Sequence, residues 1–378
     1  KTETVKTVQE KIPAEVENQG LIRGELEVNR IVHQVIYETA ERGGELKLLV
    51  QPDYDLMMES LMLVKGGLEN TKVTQLICLE PDSGQDGCSN LEIIRRILRY
   101  SVGICHYEPR YYYGKPREHY GTMNVMPYLA VTEKYGIQIS SDRKTAILHN
   151  DPRTVEYLNE FFDRMCQQSH PLVSSMDNFG GEQAKWGLVY LNRTDFSNTI
   201  GMCAGLCCVQ FWDEYLIRKY MNPHIPDRER IIKDYTAYTA GLYQKKKQGQ
   251  AVELMNCSFV EEFIKTGVFR EYPAVFFAEP VSREDRRELV DRVLKAVDEG
   301  WYHIRMVPAE EFPLSYHWEI LAHRGSSMLF QYVYQNQFQV FWFEERDILE
   351  ATYDFLQSFA DGENVLDESQ SAELPRKW

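Results

Sequence analysis

GIQISSDRKTAILHNDPRTVEYLNEFFDRMCQQSHPLV, residues Gly136 to Val173, reads as strand, turn, strand, turn and helix. Ile137 and Ile139 alternate with polar residues, the period of a half-buried strand. Ser141-Asp142 turns, and Thr145 to Leu148 returns as a second strand. Asn150-Asp151-Pro152 then starts a helix: Asp151 caps it and Pro152 suits its first position. Val155, Leu158, Phe161, Phe162 and Met165 lie on one face of that helix.

The same plan returns near the C-terminus. Met328 to Tyr334 alternates, Gln335-Asn336 turns, and Phe338 to Phe343 alternates again. Ile348, Leu349, Thr352, Phe355, Leu356 and Phe359 form a second amphipathic helix. An offset of 193 places Arg153, Val155 and Phe162 on Arg346, Ile348 and Phe355. The expected fold class is therefore α/β, with two related halves.

Outward from these anchors, strands alternate with helices, as in α/β layers. Residues 1–45 read as an arm and a helix beginning at Gly20. Residues 46–173 form the first half, 252–362 the second, and 363–378 an acidic tail. Residues 174–251 read as a helical connector. In it, Ala184 to Arg193 reads as a short strand and Thr199 to Asn222 as a helix, apolar nearly all round. Such a helix is buried, against a partner or within its own chain. A homodimer is expected on the first alternative.

With 378 residues, 43% hydrophobic and 12% aromatic, the chain can build two ordinary cores. Its formal net charge of −15 argues against these residues gripping nucleic acid, which needs clustered Lys and Arg. No apolar run is long enough to span a membrane. The eight cysteines are irregularly spaced without a CxxC pair, which fits reduced thiols and a cytoplasmic location.

Residues 104–126, ICHYEPRYYYGKPREHYGTMNVM, interrupt the rhythm as a long loop or distorted hairpin. Tyr107, Arg110, Tyr112, Arg117 and His119 are the candidate ligand-binding residues. Tyrosine rings would stack on a small organic effector, and Arg or His would meet its carboxylate or phosphate. The alternative is an aromatic hairpin packed on the sheet.

No catalytic residues, cofactor or metal site are expected. The sequence holds no HExxH, GxSxG or P-loop. Cys203 and Cys207 stand at i, i+4 in the expected helix, but no histidine is near, so they read as core residues.

Two halves ending in strand-turn-strand-helix resemble the duplicated fold of the phospholipase D superfamily. That family's signature is a His, a Lys two residues later and an Asp further on. Here His149 is followed by Asn150 and Asp151, and Trp342 stands at the comparable place in the second half. The resemblance implies the fold without its catalysis. TAILHNDPRTVEYLNEFFDRMCQQSHPLV also resembles the sensor region of bacterial Cro-like helix-turn-helix regulators, over roughly residues 130–370. That resemblance implies a non-catalytic effector-sensing and dimerisation region of a transcriptional regulator, which meets DNA through a domain upstream of Lys1. The alternatives are an enzyme, such as a hydrolase using the Tyr/His/Arg cluster, and a protein-interaction scaffold.

Overall fold

Asp151 accepts a hydrogen bond from Thr154 N at 3.0 Å, with Pro152 in the first turn of the helix it caps. Glu345 does the same for Ile348 N at 3.1 Å. These two caps mark equivalent points in two α/β units, which meet in sequence at Leu172 and Val173. The computed structural model describes residues 20–64, 70–81, 88–103, 106–122, 124–177, 181–269, 271, 276–277, 279–315, 317–334 and 337–376. Residues 1–19 of the expected arm and the 335–336 turn lie outside them.

In the first unit, β1 (Gly20–Arg23) precedes α1 (Glu25–Arg42), so the expected helix from Gly20 begins five residues later. Gly24 separates the two with φ of 99°, a value that L side chains rarely adopt. Then follow β2 (Gly44–Leu49), α2 (Asp55–Leu63), β3 (Thr71–Leu79), α3 (Cys88–Gly103) and β4 (Tyr107–Tyr113). β5 (Tyr128–Val131), β6 (Gly136–Ile139) and β7 (Thr145–His149) form a meander. α4 (Pro152–Gln167) and β8 (His170–Pro171) complete the unit. The sheet order is β1-β7-β6-β5-β2-β3-β4-β8, with β2, β3 and β4 parallel. Leu158 and Phe162 of α4 pack on Leu49, Leu76, Leu129 and Val131. Burying each of these two side chains is worth roughly 1.5–3 kcal/mol.

The second unit runs β9 (Ser174–Asp177), α5 (Gly181–Arg193), β10 (Asn198–Cys203), α6 (Glu214–Tyr220), α7 (Arg228–Gln248), β11 (Gln250–Asn256), α8 (Cys257–Thr266) and α9 (Arg283–Asp298). It continues with β12 (Tyr302–Val307), β13 (Trp318–His323), β14 (Ser327–Tyr334), β15 (Gln337–Phe343), α10 (Arg346–Ala360) and α11 (Glu368–Arg376). Its sheet order, β9-β15-β14-β13-β10-β11-β12, repeats β1-β7-β6-β5-β2-β3-β4 strand for strand. β10, β11 and β12 are parallel, as are β2, β3 and β4. α4 packs on β2 and β5, and α10 packs on their counterparts β10 and β13.

The duplication therefore holds at the level of strand order, but its boundaries differ from those expected. Residues 174–251 are not a connector: they supply β9, α5, the central strand β10, α6 and α7 of the second unit. Thr199 to Asn222 is not one helix. Its apolar run covers a strand buried on both faces, then a short 3-10 turn and α6. Its apolar surface packs inside the unit's own core, the second of the two alternatives for its burial. Ala184 to Arg193 is helical. The expected tail is partly docked: Met306 N donates to Ser371 Oγ at 2.8 Å, and Ser371 and Ala372 of α11 are buried.

The offset between the repeats is also corrected. Asp151 and Glu345 are 194 apart, which aligns buried Phe162 with buried Leu356. Phe355, the residue matched at 193, is 54% exposed. Among the described residues, no helix is long and apolar enough to cross a membrane.

Candidate functional site

A parallel strand buried on both faces is normally apolar, yet β11 carries Glu253 at its centre. Glu253 pairs in register with Gly201 of β10. A β-carbon on Gly201 would lie 2.0 Å from Glu253 Oε2, so glycine leaves the space that this carboxylate fills. Lys246, from the last turn of α7, places Nζ 2.5 Å from Glu253 Oε1 and 3.8 Å from Cys207 Sγ. Both side chains of the Lys246–Glu253 pair are only 2% exposed. The ammonium also lies 5.5 Å from the centre of the Tyr302 ring, a cation–π contact.

Beside this pair is a cavity of about 90 Å³, lined by Tyr190, Tyr238 and Phe338 among other apolar groups. That is ample for a water-sized guest or a small ion with its ligands. A β-carbon on Gly187 of α5 would come within 2.7 Å of the Tyr238 ring, so a second glycine allows close packing at the wall. Glu319 on β13 faces Gln331 on β14, and Gln331 Nε2 donates to Glu319 Oε2 at 3.0 Å and to Glu271 O at 2.9 Å. Glu271 and Gln210 also line the cavity, at 5% and 3% exposure. Glu271 Oε1 and Gln210 Oε1 have no hydrogen-bond partner among the described residues. Leaving a buried acceptor unpaired costs about 1–3 kcal/mol, so both oxygens favour a hydrogen-bond donor in the cavity.

Burial, with Cys207 next in weight, pushes the carboxyls of Glu271 and Glu319 well above their ordinary range. Burial alone would lower the Lys246 ammonium, but Cys207 and Glu253 more than offset it and raise it. A hydrogen bond from Cys203 pulls the Cys207 thiol below its usual range despite burial, and Lys246 assists. Cys203, the donor of the pair, is raised.

Cys203 Sγ, Cys207 Sγ and a Glu253 carboxylate oxygen all lie within 4.8 Å of one another. The two thiols lack a nearby histidine in sequence, yet the fold supplies another donor. The third donor comes from the adjacent strand, and Cys203 ends a strand instead of lying in a helix. The available signal was a lone Glu in the apolar run Ala251 to Met255.

The five residues proposed from sequence do not converge. Tyr107 and Arg110 differ in parity on β4 and therefore point to opposite faces of the sheet. Tyr107 OH donates to Gln75 Oε1 at 2.5 Å, deep in the core. Arg110 Nε donates to Ser169 Oγ and Nη2 to Ser169 O, each at 2.8 Å, which ties β4 to the end of α4. Arg117 is exposed at the start of a short π-helical turn. Tyr112 and His119 do meet, with ring centres 6.5 Å apart, and His119 lies 4.7 Å from Tyr120. Tyr120 stacks on Tyr128, and the cation in this nest is Arg143, 4.6 Å from the centre of the Tyr54 ring. Burial lowers the His119 pKa and pushes Tyr54 up to about 12. Within the stretch expected as a loop or distorted hairpin, Tyr107–Tyr113 is β4, paired in parallel with β3 and antiparallel with β8, so no hairpin forms there.

No family model matches the chain, and no curated protein does. Solved structures give likenesses of low TM-score. One is TrmBL2, an archaeal chromatin protein described with a novel mode of DNA binding: 13% identity, TM-score 0.29, covering 42% of this chain and 57% of that one. Another is polyphosphate kinase from Porphyromonas gingivalis: 12% identity, TM-score 0.28, 90% and 50%. A third is phosphatidylserine synthase from Haemophilus influenzae Rd KW20: 10% identity, TM-score 0.28, 95% and 94%. The chain thus spans about half the length of the first two.

Proposed function

We propose that this chain is a non-catalytic, effector-sensing part of a transcriptional regulator, and that its effector site is the cavity of the second unit. One observation carries the proposal: Glu271 Oε1 and Gln210 Oε1 are buried acceptors, without partners among the described residues, on one small cavity. The effector is accordingly a small donor or cation. It would meet the carboxyl groups of Glu253, Glu271 and Glu319 beside the Lys246 ammonium, and a cation would displace the protons that burial holds on Glu271 and Glu319.

A degenerate phospholipase D-like fold is consistent with the repeated strand order. His149 Nε2 bonds to Gln138 Oε1, and Asp151 is used as a helix cap, which leaves no acid–base pair at that place. With a net charge of −15, DNA contact on this proposal belongs to a separate domain.

A thermal-shift screen of metabolites and metal ions tests the proposal on three proteins: wild type, Glu271→Gln, and a variant with Tyr112, Arg110 and His119 changed to Ala. The expected ligand stabilises wild type and the triple variant alike and loses its effect in Glu271→Gln. A ligand that still acts on Glu271→Gln but not on the triple variant would move the site to the first unit.

A further inference from the structure

We propose that Cys203, Cys207 and Glu253 form a binding site for a thiophilic divalent cation of the zinc class, and that Glu271, which lies outside this three-residue cluster but on the wall of the same cavity, turns in as fourth donor on binding. This names the ligand class of the cavity and rests on its being the effector site. Two sulfurs and a carboxylate oxygen within 4.8 Å of one another can converge on one ion by small side-chain rotations. Two thiolates with oxygen donors favour zinc over magnesium or calcium, which prefer oxygen alone. Glu271 is the independent sign of a ligand: it is 95% buried, lines the same cavity, and keeps one oxygen without a partner among the described residues. Lys246, already on Glu253 Oε1, stays as an outer-shell donor that orients this carboxylate and offsets the negative charge of the ligand set. Binding displaces the thiol protons, so affinity rises with pH.

The test adds cobalt(II), a spectroscopic stand-in for zinc, to the reduced full chain. The expected result is one cobalt per chain with thiolate-to-metal charge-transfer absorption, displaced by zinc. The band disappears in the Cys203→Ser/Cys207→Ser double variant, and Glu271→Gln weakens binding by at least about tenfold. Glu271→Gln keeps the side chain's shape, so it remains informative if the serine variants fold poorly. Cobalt binding without the charge-transfer band, or binding of equal strength in Glu271→Gln, overturns the proposal. An organic amine that stabilises wild type in EDTA, but not Glu271→Gln, overturns the metal site and leaves the sensor reading standing. Failure of every metal and metabolite to stabilise the protein removes both.

Discussion

Lys246 Nζ and Glu253 Oε1 lie 2.5 Å apart, and both side chains are 2% exposed. The pair joins the end of α7 to the middle of β11 at the wall of the cavity. Breaking a buried pair leaves one charge stranded, typically at a cost of about 3–5 kcal/mol. Lys246→Met should therefore lower the Tm of the second unit by roughly 6–20 °C. Adding Glu253→Met should recover most of the loss in a thermal melt. A double variant no more stable than the single one would show that Lys246 stabilises the fold through contacts other than Glu253.

Gly201 and Glu253 compete for the same space. Gly201→Ala should cost about 1–3 kcal/mol, by the usual penalty for overpacking, because its β-carbon would fall 2.0 Å from Glu253 Oε2. In a Glu253→Ala background the cost should largely vanish. A denaturant double-mutant cycle measures this, and additive costs would contradict it.

His323 gives the second unit an acid-sensitive core. It is buried between Tyr190 OH on Nε2 and Thr199 Oγ1 on Nδ1, the latter at 2.8 Å. Burial lowers its pKa from 6.5 to about 3, and Lys246 adds to this. The unfolded chain binds a proton that the fold excludes, so this contribution is complete above pH 6.5 and is lost as pH falls toward 3. His323→Gln should flatten the dependence of Tm on pH between 6.5 and about 4. An unchanged slope would assign the acid sensitivity to other groups.

Glu271 works in the opposite sense. Its folded pKa is raised, so its contribution is present below 4.5 and is lost as pH rises through the folded value. Glu271→Gln should stabilise the ligand-free protein at pH 7–8, and the gain should shrink toward pH 4.5. A loss of stability at neutral pH would mean that the carboxylate has a partner in the fold.

Much of the architecture was legible where local signals agreed. Residues 136–167 combine two-residue alternation, a capping Asp151 and an apolar helix face, and all three hold in the structure. The centre of the second unit was misread because periodicity cannot separate a fully buried strand from an apolar helix. Gly201 and Gly205 in that run were evidence against a helix. Weak identities set the repeat one residue out of register, whereas the caps Asp151 and Glu345 set it at 194. The cavity was the least legible feature. Cys203, Lys246, Glu253, Glu271 and Glu319 are spread along the sequence, and strand pairing brings only Cys203 beside Glu253's strand. The residues at 107–119 attracted notice by composition, yet alternation along β4 divides them between two faces.

The central claim, that the second unit's cavity takes the effector, is tested most directly by hydrogen–deuterium exchange. The full chain is compared with and without the compound or ion that most raises its Tm. Protection is predicted in residues 201–210 and 246–256, with no change in 107–122. Protection confined to 107–122, or stabilisation by no ligand at all, would contradict the claim.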